Sequence, residues 1–249
     1  MPHSSVPAIP AAVSAKSAAF EALGSLDTQA FLARLLSQQT PFGELAVVSS
    51  FGAESAVLLH LVATLNSQTR VVFLDTGFHF PETLAYRDEL IDRFGLEGAQ
   101  IIGIDPLSEK RYDEAGTLHQ RDPDRCCAVR KVQVLKRALR PYGGWISGQK
   151  QFHSTERAWL ERVEWDDIYA TWKFNPLADW SADRIASYQA EHRLPPHPLV
   201  SEGFPSIGCE PCTSRVTGGE DIRAGRWRGQ DKLECGLHRN PNVIAVSSR

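Results

Sequence analysis

Five cysteines stand at three places in this 249-residue chain: the adjacent pair Cys126-Cys127, the motif Cys209-Glu210-Pro211-Cys212, and Cys235 in Glu234-Cys235-Gly236-Leu237-His238. Four thiolates gathered by a fold suit either tetrahedral zinc or an iron-sulfur cluster, because both take soft, charged sulfur ligands. Two intervening residues let a tight loop aim Cys209 and Cys212 at one centre. Neighbouring side chains normally diverge, so Cys126 and Cys127 reach a single small ion only with strain but can reach two corners of a larger cubane. Spacing leaves both metal readings open, beside the blander one of buried apolar cysteines. A disulfide framework is disfavoured in a long chain with no secretory signal and an odd cysteine over. Cys235 lies outside both pairs and is the candidate nucleophile.

The pattern Cys-Cys-x-x-Arg-Lys (Cys126 to Lys131), then Cys-x-x-Cys, Arg-x-Gly-Arg-Trp (Arg223 to Trp227) and Lys-x-Glu-Cys-Gly-Leu-His (Lys232 to His238) resembles the assimilatory adenylylsulfate reductases. These form the iron-sulfur branch of the phosphoadenylylsulfate/adenylylsulfate reductase family. The likeness runs from about Leu45 to His238. It implies an adenine-nucleotide α-hydrolase-like fold with a modified pyrophosphatase (PP) loop, and one 4Fe-4S cluster per chain on Cys126, Cys127, Cys209 and Cys212. It further implies that the Cys235 thiolate attacks the sulfur of adenosine 5'-phosphosulfate, AMP leaves, and an S-sulfonate remains on the enzyme. An external dithiol, thioredoxin or glutaredoxin, then releases sulfite. Plant relatives carry a thioredoxin-like domain after this point, whereas only a short tail follows Cys235 here. Two-electron thiol exchange needs no one-electron carrier, so the cluster's expected task is electrostatic and positional. The family's lysine at the position of Lys131 lies between cluster and substrate.

These groups need elements to position them. Leu45 to Val48 reads as a strand that stops at Ser49-Ser50-Phe51-Gly52-Ala53-Glu54-Ser55, after which Ala56 to Leu65 has helical spacing. Amides at a helix start, hydroxyls and a glycine form a phosphate cradle, with Ser49, Ser50, Gly52 and Ser55 as expected contacts. A bare Ser/Gly loop would equally be a helix cap, and it is no Walker A motif; the family likeness favours the cradle. Val71 to Leu74 is a second strand. Asp75, Thr76 and Gly77 follow at its carboxyl end, where ligands of open parallel sheets bind, although a plain turn also selects Asp and Gly. Strands at Gln100 to Ile104, Trp145 to Gly148 and Trp172 to Leu177, the last an edge strand, alternate with helices at Thr28 to Gln38, Pro81 to Phe94, Asp124 to Arg140 and Ser181 to His192. That alternation predicts an α/β fold with a mostly parallel sheet flanked by helices. Cys126-Cys127 at the amino end of the Asp124 to Arg140 helix would gain from its dipole, and Arg130 and Lys131 would otherwise be a solvated face. Leu194 to Pro198 is expected to be an extended connector.

Arg215, Arg223, Arg226 and Arg228, with Arg239 further out, suit a small multiply charged anion, and Arg223 and Arg226 are the expected clamp. The segment Gly218 to Gly229 reads as mobile, carrying the nucleophile that follows it. The loop Gln149 to Arg157 departs from the basic run usual in relatives: Lys150, Ser154 and Arg157 keep something of the expected chemistry, with Arg157 the expected substrate contact. A net charge of -3 argues against a nucleic-acid partner. The apolar runs are strand-length, which excludes a transmembrane span. Residues 1–18 read as a flexible tail rather than a signal peptide, 19–249 as a single reductase domain, and the location as cytoplasmic. The family is often oligomeric. Three alternatives stay open: activity on the 3'-phosphorylated nucleotide, a PP-loop ATP-dependent thiolation enzyme, and a zinc-stabilised nucleotide-binding module.

Overall fold

The computed structural model describes residues 23–230, 232 and 234–238. The expected tail at 1–18 lies outside them. Six strands, β1 (Leu45–Val48), β2 (Arg70–Asp75), β3 (Ala99–Gly103), β4 (Gly144–Ser147), β5 (Val163–Asp166) and β6 (Thr171–Phe174), form one sheet in the order β3-β2-β1-β4-β6-β5. All neighbours are parallel except β5 and β6. The expected mostly parallel α/β sheet is therefore present. The Trp172 strand, however, is not the edge: β5 covers it. That strand escaped sequence reading because Val163-Glu164-Trp165-Asp166 alternates apolar and charged residues over only four positions. Cross-strand pairs hold it: Glu164 reaches Lys173 Nζ at 2.6 Å and accepts from Asn175 Nδ2 at 3.0 Å, and the Trp165 ring packs on Trp172 at 5.1 Å.

Side chains alternate across the sheet with period two. Val47, Val71, Phe73 and Ile146 enter one core, while Ala46, Val72, Leu74 and Trp145 enter the other. The first core is covered by α1 (Thr28–Leu36), α2 (Ser55–Leu65), α3 (Pro81–Phe94) and α8 (Ala182–Glu191). Start signals act as expected: Asp27 and Ser181 accept from backbone amides of α1 and α8, and Pro81 opens α3. No helix among the described residues is long and apolar enough to cross a membrane.

On the second face the chain runs through α4 (Pro106–Asp113), α5 (Leu118–Arg121) and α6 (Pro123–Cys127), a π-helical turn at Ala128–Val132, and α7 (Gln133–Ala138). The single helix expected over Asp124 to Arg140 is thus interrupted. The wider turn begins directly after the adjacent cysteines, and such turns change which way successive side chains point. Arg130, in that turn, is 3% exposed rather than solvated. Its Nε donates to Asp113 (2.9 Å), Nη1 to the Thr76 carbonyl (2.9 Å) and Nη2 to Glu109 (2.8 Å), which ties the helical rod to α4 and to the loop after β2.

Between α8 and Cys209, Pro198–Val200 forms a 3-10 turn whose Leu199 packs with Phe80 and Ile207, so this connector is not wholly extended. Its anchor is His197. The Leu199 amide donates to Nδ1 (3.2 Å), which leaves the Nε2 proton to donate to Thr83 Oγ1 (3.0 Å). Burial lowers the His197 pKa from 6.5 to about 4. The unfolded chain therefore binds a proton that the folded one refuses. The stability this gives is complete above pH 6.5 and is lost as pH falls toward 4. Urea midpoints should drop across that window in wild type and less steeply in His197→Asn; equal slopes would exclude His197 as the cause.

Candidate functional site

One cavity of about 230 Å³ opens beyond the carboxyl ends of β1, β2 and β4. Since β2 lies on one side of β1 and β4 on the other, this is where the strand order reverses, the usual ligand crevice of open α/β sheets. Ser49, Ser50, Gly52 and Ser55 form one wall. Phe51, between them, has φ of 49° and is held there by its amide donating to Ser49 Oγ (3.2 Å) and by its buried ring against Phe73. This is left-handed backbone that a non-glycine residue adopts at some cost. Glu54 occupies the N-cap of α2 and no side chain makes a capping bond there, so the helix-cap alternative for this loop is not what it does.

The same cavity is lined by Lys131, Arg157, Arg223, Arg226, Glu234, Cys235 and His238. Of the arginine group, Arg215 and Arg228 instead face out, paired with Glu202 and Glu220. Arg226 lies so close to Gly208 that a Cβ there would stand 2.2 Å from its Nη2, so any side chain before Cys209 would push the guanidinium out of its present place. The Arg-rich segment is tied down by Ser214 donating its amide to Gly225 (2.8 Å) and by a bridge between Thr213 and Arg226. Asp75 and Gly77 are off the cavity wall. Asp75 Oδ1 accepts from the Gly77 amide (2.9 Å), and Gly77 has φ of +74°, so this pair shapes the turn while Thr76 alone faces the cavity.

A second, small pocket is lined by Cys126, Cys127, Cys209 and Cys212, and it shares Thr76, Lys131 and Cys209 with the first. All five cysteines are free. Among the described residues, no three His, Cys, Asp or Glu side chains are arranged to hold one metal ion. Burial, then the neighbouring Cys127 and Cys209, push the Cys126 thiol up to about 12; burial likewise raises Cys127 and Cys212. The expected gain from a helix dipole is thus outweighed, because desolvation and mutual repulsion oppose thiolates packed together. Cys209 differs. Burial pushes its pKa up, but Lys131, a Thr76 Oγ1 to Sγ contact of 3.3 Å and Arg226 bring it below the ordinary value. Lys131 answers in kind: burial opposes its charge, but the neighbouring sulfurs, Cys209 foremost, hold its pKa above the ordinary lysine value.

The loop after β4 has spent its cations internally. Lys150 Nζ meets Glu54 Oε2 at 2.6 Å, and His153 Nε2 meets the same oxygen at 2.9 Å. Despite burial, these partners bring the Glu54 pKa down to about 2. Arg157 pairs with Glu234. His238 stacks on Trp145 at 5.7 Å and is kept neutral by burial and surrounding cations. Sequence reasoning gave Glu54, Glu234, His238 and Gly208 no role, although Glu234 and His238 stand in the Cys235 motif and Gly208 directly precedes Cys209, which was the available signal.

A model of the phosphoadenosine phosphosulfate reductase domain matches residues 44–215, and the chain belongs to that family. An adenosine 5'-phosphosulfate reductase of Mesorhizobium japonicum is 45% identical over 91% of this chain and 88% of its own length. A phosphoadenosine 5'-phosphosulfate reductase of Gloeobacter violaceus is also 45% identical, over 79% of this chain and 83% of its own. The crystal structure of the phosphoadenylyl-sulfate reductase of Candida auris, 20% identical, covers 86% of this chain and all of its own with a TM-score of 0.65, a likeness of fold. The family model stops before Arg223, so the arginine clamp and Cys235 rest on the geometry above.

Proposed function

We propose that this chain reduces adenosine 5'-phosphosulfate to sulfite and AMP in sulfate assimilation. The observation that carries this reading is a single cavity uniting the β1 serine loop, the cations Lys131, Arg223 and Arg226, and the Cys235 thiol. In this mechanism the Cys235 thiolate gives its electron pair to the sulfonate sulfur. The bond between that sulfur and the bridging oxygen breaks, and AMP departs with the oxygen. Arg223, Arg226 and Lys131 offset the negative charge of sulfonate and phosphate, while Thr76 and the Ser49 to Ser55 loop hold the nucleotide. A thiolate of an external dithiol protein such as thioredoxin then attacks Cys235 Sγ, sulfite leaves with the bonding pair, and the second thiol closes a disulfide in the donor. Two electrons pass from the dithiol to sulfur, and Cys235 is restored.

Cys126, Cys127, Cys209 and Cys212 would hold a 4Fe-4S cluster. Four cysteines lining one pocket supply the four soft sulfur donors that such a cluster takes. When bound, the cluster supplies a fixed charge beside Lys131 and keeps the thiols deprotonated.

Anaerobic protein with reduced thioredoxin should release sulfite from adenosine 5'-phosphosulfate faster than from its 3'-phosphorylated analogue. The reverse preference would move the activity to the analogue named in the Gloeobacter relative. Arg226→Ala should weaken substrate binding by roughly ten- to a hundredfold, the worth of a charge-assisted hydrogen bond of about 1.5 to 3 kcal/mol. Gly208→Ala should do the same by displacing the guanidinium. Normal titrations for both would remove Arg226 from the clamp.

A further inference from the structure

Glu234, the residue before the nucleophile, makes a shared ion pair inside the cavity. Its Oε1 accepts from Arg157 Nε at 2.7 Å and its Oε2 from Arg157 Nη2 at 2.9 Å, a two-pronged contact, while Oε2 also meets Arg223 Nη2 at 3.1 Å. The three side chains are only 12 to 14% exposed. Three separate pieces of chain converge here: the turn Thr155–Arg157, the Arg-rich segment, and the stretch carrying Cys235. A charge-assisted contact of this kind has more orienting power than a single-point pair, since the guanidinium fork fixes direction as well as distance. The same stretch has a second tether of different character. Lys232, largely buried, pairs with Asp124 at the start of α6 and lies over the Trp227 ring (5.3 Å), which also carries the Arg226 guanidinium (4.5 Å).

We propose that Glu234 is a positioning residue that seats Cys235 at the site by occupying part of the cationic clamp through which the anionic substrate is held. The inference rests on the proposed reductase reading. Two consequences of opposite sign follow. The carboxylate orients the nucleophile and so speeds transfer, yet it also cancels one of the two positive charges on Arg157 and Arg223 that an incoming phosphate or sulfonate meets. A residue that only supported the fold would, on removal, weaken binding and turnover together. Glu234 should split them. Its position one residue before Cys235 gives the carboxylate short leverage over the thiol, whereas Lys232 fastens the same stretch through Asp124 and not through Arg157 or Arg223.

The test uses Glu234→Gln, Glu234→Asp and Lys232→Met in the full-length protein. AMP, which cannot be sulfonated or reduced, serves as the binding probe, and the mass increase on the Cys235 peptide in a single turnover without reductant reports the transfer step. Glu234→Gln should bind AMP about three- to tenfold more tightly and form the S-sulfonate at least about tenfold more slowly. Glu234→Asp should recover part of the rate and the weaker AMP binding, because charge returns with a shorter reach. Lys232→Met should slow transfer without tightening AMP. Weaker AMP binding in Glu234→Gln, or neither quantity changed, overturns the role given to Glu234. Absence of the S-sulfonate from wild type, with AMP still bound more tightly by Glu234→Gln, overturns the reductase reading and leaves the shared clamp standing.

Discussion

Cys235→Ser is expected to bind the nucleotide, keep its metal content and release no sulfite at all. Thiol exchange passes through a bond between two sulfurs, and a serine hydroxyl is neither deprotonated enough nor soft enough to replace the thiolate. Cys235 is the cysteine that lines the nucleotide cavity without lining the cysteine pocket, so its loss should leave the other four undisturbed. Wild type incubated with adenosine 5'-phosphosulfate and no dithiol should gain one sulfonate mass on the peptide holding Cys235. That mass found on Cys126 or Cys127 would reverse the division of labour among the five cysteines. Sulfite released by Cys235→Ser at the wild-type rate would remove the covalent step altogether.

How much of this was legible in the sequence depended on whether the determining interaction was local. β1, β2 and their loops obeyed apolar runs punctuated by small residues, and the Pro81 and Ser181 starts obeyed capping chemistry, because neighbours in sequence decide both. β5 was not legible, since its Glu164 is made tolerable by Lys173 and Asn175, residues of another strand and its exit. Arg130 read as a solvated cation for the same reason: its carboxylates, Glu109 and Asp113, sit in a helix with no apolar periodicity to announce it. At the site, the motifs foretold that the serine loop, Thr76, Lys131, Arg223, Arg226 and Cys235 would meet, but not that Asp75 and Gly77 would stay off the wall. They did not foretell the accounting of charge, in which Lys150 is committed to Glu54 and Arg157 to Glu234. A cation in a sequence motif is legible; the carboxylate that already holds it is a product of folding.

Cys209→Ser should cost the protein most of its iron and nearly all of its activity, and it should disturb nucleotide binding as well. The first part follows from the four-thiolate reading. Anaerobically purified wild type should be brown, with about four irons and four sulfides per chain, and losing one sulfur corner makes such a cluster labile. The second part is particular to Cys209, because it stands in the wall common to the cysteine pocket and the nucleotide cavity while Cys212 lines the pocket alone. Cys209 is the thiol whose charge is supported by Lys131, Thr76 and Arg226, and Lys131 in turn is kept protonated against burial chiefly by Cys209. Serine would take the negative charge out of that mutual arrangement. Lys131 and Arg226 would then be left to find other partners, and the clamp would change shape. Cys212→Ser should therefore lose iron comparably yet retain more of the AMP affinity than Cys209→Ser. Metal analysis and visible absorbance read the first effect, and AMP titration of the two variants reads the second. Active, colourless wild type with stoichiometric zinc would sink the cluster, whereas equal AMP affinities in the two variants would show that Cys209 does not couple the two pockets.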